Sequence, residues 1–125
     1  GEEGAALASP TKGDRIDLNL PKAQLDFLKR LRKDNGKPII VVVTGGSPIT
    51  MPEVDEIADA ILFAWYPGQQ GGNAVADIIF GDVSPSGRLP VTFPLSDEQL
   101  PPYEDYSMQG RTYKYMAESP LYQFG

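Results

Sequence analysis

Residues 38–46 read PIIVVVTGG, and residues 60–72 read AILFAWYPGQQGG. Each is an apolar run of strand length that stops at a glycine pair or a Pro-Gly turn. Ile39 to Val43 are five consecutive β-branched residues, whose stiff side chains suit a pleated surface. An unbroken run without polar alternation marks a strand buried on both faces, the usual state in a parallel sheet. Between the two runs, MPEVDEIAD (residues 51–59) sets Val54, Ile57 and Ala58 on one side of a short helix. After the second run, GGNAVADIIFG (residues 71–81) sets Ala74, Ile78 and Ile79 at helical spacing and ends at Gly81. Upstream, Pro21 suits a first helical position, and Leu25, Leu28 and Leu31 with Phe27 form an apolar stripe that runs out at Asn35-Gly36. Helix, strand, helix, strand, helix in that order predicts an α/β fold with right-handed crossovers. The architecture expected is a partial three-layer sandwich, a mainly parallel sheet flanked by helices. In such sheets ligands meet the loops after the carboxyl ends of the strands, here TGGSP and WYPGQQGG.

The flanks carry weaker patterns. Residues 1–19, GEEGAALASPTKGDRIDLN, are small and polar without a sustained period, which reads as a long exposed loop of the kind that often carries function. After Gly81 the chain becomes an irregular Pro/Gly-rich segment, and many of its twelve prolines gather there. LPVTF (residues 89–93) could add an edge strand, where proline is tolerated, and RTYKYM (residues 111–116) reads as a second short extended piece.

Composition removes whole classes of chemistry. The 125 residues suit one domain, and 41% hydrophobic residues are enough for a core. There is no cysteine and no histidine, so thiolate nucleophiles, Ser-His-Asp triads and the usual zinc sites are excluded within this chain. Carboxylates, amines, hydroxyls and backbone groups remain, and no cofactor or metal is expected. A formal charge of -6, from 17 acidic and 11 basic residues without a dense basic cluster, argues against nucleic acid and anionic membrane partners. The longest apolar run, PIIVVV, is too short to span a bilayer. The chain opens on Gly1 without an initiator Met or a leader, which reads as a cut end.

Three motifs bear on function. The glycines of YPGQQGGNA fit neither a P-loop, which needs Gly-Lys-Ser/Thr, nor the G-x-G-x-x-G dinucleotide loop. They are better explained as a Pro67-Gly68 turn followed by Gly71-Gly72, which let the next helix start close against a neighbour. GEEG places Glu2 and Glu3 side by side on a flexible loop, and a partly desolvated carboxylate pair raises the pKa of one member, as a general acid requires. A solvated surface pair is the plainer alternative. Arg88 is expected to pair with Asp82 across a turn, and Arg111 to fix a loop. Trp65, Tyr66 and the later tyrosines could stack on a sugar ring or simply anchor core and loops. From these residues alone a catalytic fragment, a non-catalytic α/β binding or assembly module, and a nucleotide-binding module all stay open.

The series DAILFAWYPGQQGGNAVADIIFGDVSPSGRLPVTFP, YEDYSMQGRTYKYM and SPLYQFG resembles the second, α/β-sandwich domain of family 3 glycoside hydrolases, the β-glucosidase and β-xylosidase group. The likeness runs over nearly the whole chain. It implies that residues 1–19 are an acid/base loop and residues 20–125 a portion of the sandwich domain, with a separate (β/α)8-type barrel bearing a nucleophilic Asp. GEEG followed by GDRIDLNLPKAQ matches the family's acid/base motif, so the resemblance implies Glu2 as acid/base and Glu3 as fallback, the register being open by one. It further implies a β-linked oligosaccharide or glycoside substrate, β-glucoside ahead of β-xyloside, and a periplasmic or secreted setting. The complementary barrel-containing chain or segment of the same enzyme is the expected partner, and the chain alone should be inactive.

Overall fold

The computed structural model describes residues 17–102, 104–110 and 112–125. Five helices and strands precede the irregular part: α1 (Lys22–Asp34), β1 (Ile40–Thr44), α2 (Pro52–Ile57), β2 (Ala60–Trp65) and α3 (Gly71–Phe80). A 3₁₀ turn (Asp97–Gln99) and the one-turn helix α4 (Thr112–Tyr115) follow. This is the expected helix and strand order. β1 and β2 pair in parallel, Val41 opposite Ile61 and Val43 opposite Phe63, as a two-stranded sheet.

Local chemistry accounts for the element ends. Pro52 opens α2 at a position that needs no N–H donor, and Glu53 and Asp55 suit its first turn. α3 ends at Gly81, whose φ of 86° favours a residue without Cβ. There the Asp82 N–H reaches the Asp77 carbonyl at 2.8 Å and the Gly81 N–H reaches that of Ile78 at 3.2 Å, satisfying two carbonyls the helix leaves open.

The core lies on one face of the sheet. Val43, Ile49, Met51, Val54 and Phe93 are buried, and Leu25 and Leu28 of α1, Val41, Ile61, Phe63, Trp65 and Tyr122 pack around them. Phe93 is fully buried, with ring centroids 5.1 Å from Phe63, 6.1 Å from Trp65 and 6.0 Å from Tyr122. Arg32 on α1 donates to the Ile57 carbonyl and to the Asp59 carboxylate, which also accepts the Ile39 N–H at 2.7 Å. One side chain thus ties the end of α1 to the beginnings of both strands. The Ile39 N–H first, and then Arg32, hold Asp59 below the usual aspartate pKa.

Four expectations need correction. β1 is not buried on both faces: Ile40 and Val42 are 46% and 38% exposed, because the packed residues all lie on the Val41 and Val43 side. RTYKYM is not extended, since Thr112–Tyr115 form a helical turn; with no strand beside it among the described residues, the backbone closes its hydrogen bonds locally. LPVTF adds no edge strand to the sheet. Phe93 instead makes a single antiparallel bridge to Tyr122, and Pro90 and Pro94 on either side remove the donors that a longer ladder needs. Among the described residues, no ion pair joins Arg88 to Asp82.

Candidate functional site: the loop root and the carboxyl ends of the strands

Glu2 and Glu3 lie outside the described residues, as does Arg111. What the structure describes is how the chain from Asp17 onward enters the domain. Leu18 donates its N–H to the Asp97 carboxylate, 3.1 Å to Oδ1 and 3.4 Å to Oδ2. The Leu18 carbonyl accepts the Thr50 N–H at 2.9 Å. Asn19 forms a parallel bridge with Thr50, whose hydroxyl donates to Asn19 Oδ1 at 2.7 Å. Asp17 Oδ1 accepts the Asn19 N–H at 2.9 Å, a local turn that fixes the approach of the chain. Thr50 is only 3% exposed, so this docking has a rigid floor. Thr50 lies in the connection from β1 to α2, which places the root beside the carboxyl end of the sheet, where an α/β fold gathers its working loops.

The two loops at that end touch each other. Trp65 has φ 54°, a left-handed conformation that a bulky residue adopts only when its surroundings impose it. The imposition is visible in the pairing: the register slips after Val43, so Thr44 pairs with Trp65 and Ala64 is passed over. The indole then packs at a 58° tilt against Phe63, centroids 4.4 Å apart, while the Trp65 backbone carbonyl accepts the Gly45 N–H at 3.3 Å. Trp65 is therefore a core anchor. Tyr66 beyond it is 74% exposed and lies over Gly46, where a Cβ would fall 2.7 Å from its Cε2. Gly71 is buried against Pro67, whose Cβ and Cγ would lie 2.6 Å from a Cβ placed there. Gly68, with φ 69°, thus serves the turn and Gly71 the close start of α3, as the sequence suggests, whereas Gly72 has open space around it.

Two concave regions stand out among the described residues. A groove of about 890 Å³ runs along β2 between α3 and residues 83–89, and includes Asp55, Asp59, Arg88 and Tyr122. In it the Tyr122 hydroxyl donates to Asp55 Oδ1 at 2.6 Å, and burial, then the Asp55 carboxylate, push the tyrosine pKa well above its ordinary value. A second cavity of about 750 Å³ lies in the C-terminal segment among Val91, Pro94, Leu100, Tyr106, Met108 and Met116. No group of three or more acidic residues among those described could hold a metal ion. Sequence reasoning missed Thr50 and Asp97. Asp17-x-Asn19 carried a legible turn signal, but nothing in the sequence pairs Leu18 with a residue 79 positions away.

The family model described as Glycosyl hydrolase family 3 C-terminal domain matches residues 1–125. The chain is 55% identical over 113 residues to the Xylan 1,4-beta-xylosidase of Xylanibacter ruminicola, covering 90% of this chain and 13% of that protein. It is 42% identical over 123 residues to the Periplasmic beta-glucosidase of Salmonella typhimurium, covering 89% of this chain and 16% of the other. Among solved structures, the Beta-D-glucoside glucohydrolase from Trichoderma reesei superposes with a TM-score of 0.78 at 26% identity, over 90% of this chain and 17% of its own. The beta-glucosidase from Listeria innocua in complex with isofagomine gives 0.71 at 28%, over 90% and 18%. The chain thus spans less than a fifth of the length of each of these proteins.

Proposed function

The chain belongs to the glycosyl hydrolase family 3 C-terminal domain family, and from that premise we propose that it supplies the general acid/base of a retaining β-glycosidase. Glu2 is the proposed acid/base and Glu3 the alternative for the same role. The observation that carries the reading is the family match over the whole chain, with GEEG upstream in sequence of Leu18 and Asn19, which dock beside the carboxyl end of the sheet. In the proposed reaction an Asp from a separate barrel domain attacks the anomeric carbon while Glu2, as the acid, protonates the departing glycosidic oxygen. Glu2 then takes a proton from the water that cleaves the glycosyl-enzyme, and the Asp is released. This double displacement needs the two carboxyl groups roughly 5–5.5 Å apart, so the placement of the loop matters as much as the residue it carries. Residues 1–19 act as the acid/base loop and residues 20–125 as its platform. The substrate proposed is a terminal β-linked glucose or xylose unit, the two sugars in the names of the relatives.

The test is a Glu2→Gln substitution in the intact enzyme, assayed on aryl β-glucosides and β-xylosides with good and poor leaving groups. Because a general acid contributes roughly 10²–10⁴-fold, kcat/KM should fall by that order for poor leaving groups and change little for good ones. Equal losses on both classes would assign Glu2 another role, and Glu3→Gln then decides the register.

A further inference from the structure

We propose that Asp97 is a positioning residue for the acid/base loop, its carboxylate holding the Leu18 amide and so fixing where the loop departs from the domain. The inference rests on the proposed acid/base role of residues 1–19. Leu18 is clamped from two sides. Thr50 takes its carbonyl and the neighbouring Asn19 side chain, and Asp97 takes its N–H through both carboxylate oxygens, at 3.1 and 3.4 Å. The Thr50 side belongs to the α/β layer, whereas Asp97 comes from the irregular C-terminal segment. Asp97 stands at the first position of a braced turn: the Gln99 side chain accepts the Leu95 N–H at 2.7 Å and donates to the Ser119 carbonyl at 3.2 Å and Glu118 Oε2 at 3.3 Å. No ion pair among the described residues engages Asp97. A carboxylate accepting a backbone N–H is a charge-assisted bond, stronger than a neutral acceptor would give. With one side of the clamp gone, Leu18 keeps Thr50 but gains freedom to pivot, and the error grows along the loop toward Glu2. Acid/base transfer tolerates little of this, since a misplacement of about 1 Å can cost ~10²-fold.

The experiment compares Asp97→Ala, Asp97→Asn and Glu2→Gln in the intact enzyme, reading kcat/KM on aryl glycosides with good and poor leaving groups. Asp97→Ala should lower kcat/KM roughly ten- to hundredfold on the poor leaving group and less than about threefold on the good one. Asp97→Asn keeps an acceptor oxygen and should recover most of that loss. If Glu2→Gln shows the leaving-group split but Asp97→Ala loses equally on both classes, or lowers the melting temperature with rates intact, the positioning role is overturned and the acid/base reading stands. If neither Glu2→Gln nor Glu3→Gln shows the split, both fall together. Hydrogen exchange of the Leu18 amide in the unaltered enzyme reads the clamp without any substitution. Protection supports it, and exchange at the open-chain rate refutes it.

Discussion

Adding one methyl group at Gly71 or at Gly72 should move stability in opposite directions. Both glycines begin α3, and in an isolated helix either change to Ala is favourable by up to about 1 kcal/mol. Their surroundings differ. A Cβ at Gly71 would lie 2.6 Å from both Cβ and Cγ of Pro67, atoms of a ring that cannot rotate away, whereas a Cβ at Gly72 meets nothing within 4 Å. Overpacking a closed site costs about 1–3 kcal/mol, so Gly71→Ala should destabilise by up to about 2 kcal/mol after a helical gain of about 1 kcal/mol is subtracted. Gly72→Ala should stabilise by about 0.5–1 kcal/mol, helped by a less flexible unfolded chain. Urea unfolding of the intact protein carrying each change, with the slope monitored so that the midpoint can be read as stability, measures both. Pro67→Gly combined with Gly71→Ala supplies the coupling, which should recover about 1 kcal/mol or more if the ring is the obstacle. Shifts of the same sign for the two alanines, or no coupling with Pro67, would refute the packing argument.

Two further outcomes follow from the core and the charge network. Phe93→Ala removes a fully buried ring that touches Phe63, Trp65 and Tyr122, and should cost about 3–5 kcal/mol in the same unfolding assay; a loss under 1 kcal/mol would mean that the C-terminal segment does not close the core. Asp59 is held below the usual aspartate pKa, so its contribution is fully present above about pH 4 and is lost as pH falls through its folded value. The gap in unfolding midpoint between wild type and Asp59→Asn should therefore be constant at neutral pH and narrow in acid. A gap that widens in acid would contradict the assignment, and added salt should shrink it, because half of the Asp59 side chain faces solvent.

The parts of the fold legible in the sequence were those set by local pattern. Unbroken β-branched and apolar runs marked β1 and β2, the spacing of Leu25, Leu28 and Leu31 marked α1, and Gly81 marked the end of α3. The illegible parts depend on neighbours. Whether Ile40 and Val42 are covered is a property of what lies opposite them, and a run of valines reads the same in either case. RTYKYM has strand-like composition, but strand conformation needs a partner ladder, and the described chain offers none there. Of the candidate site, Glu2 and Glu3 could be proposed from the sequence, because like charges flanked by glycines are visible residue by residue, though they lie outside the described residues. The clamp at Leu18 could not, because hydrogen bonds from a backbone amide leave no mark on the residue that donates them.

The clamp also has a place in time. Residues 40–65 contain both strands and the helix between them, so this unit closes over short stretches of chain. Leu18 and Asp97 are 79 positions apart, and Asp55 and Tyr122 are 67 apart. Contacts of such separation bear the larger loop-closure entropy and form late. The C-terminal segment, which delivers Phe93, Asp97 and Tyr122, is therefore expected to arrive late in folding. The loop root acquires its second support only when the domain is otherwise complete, so an unfinished domain would hold its sheet before it could aim its loop.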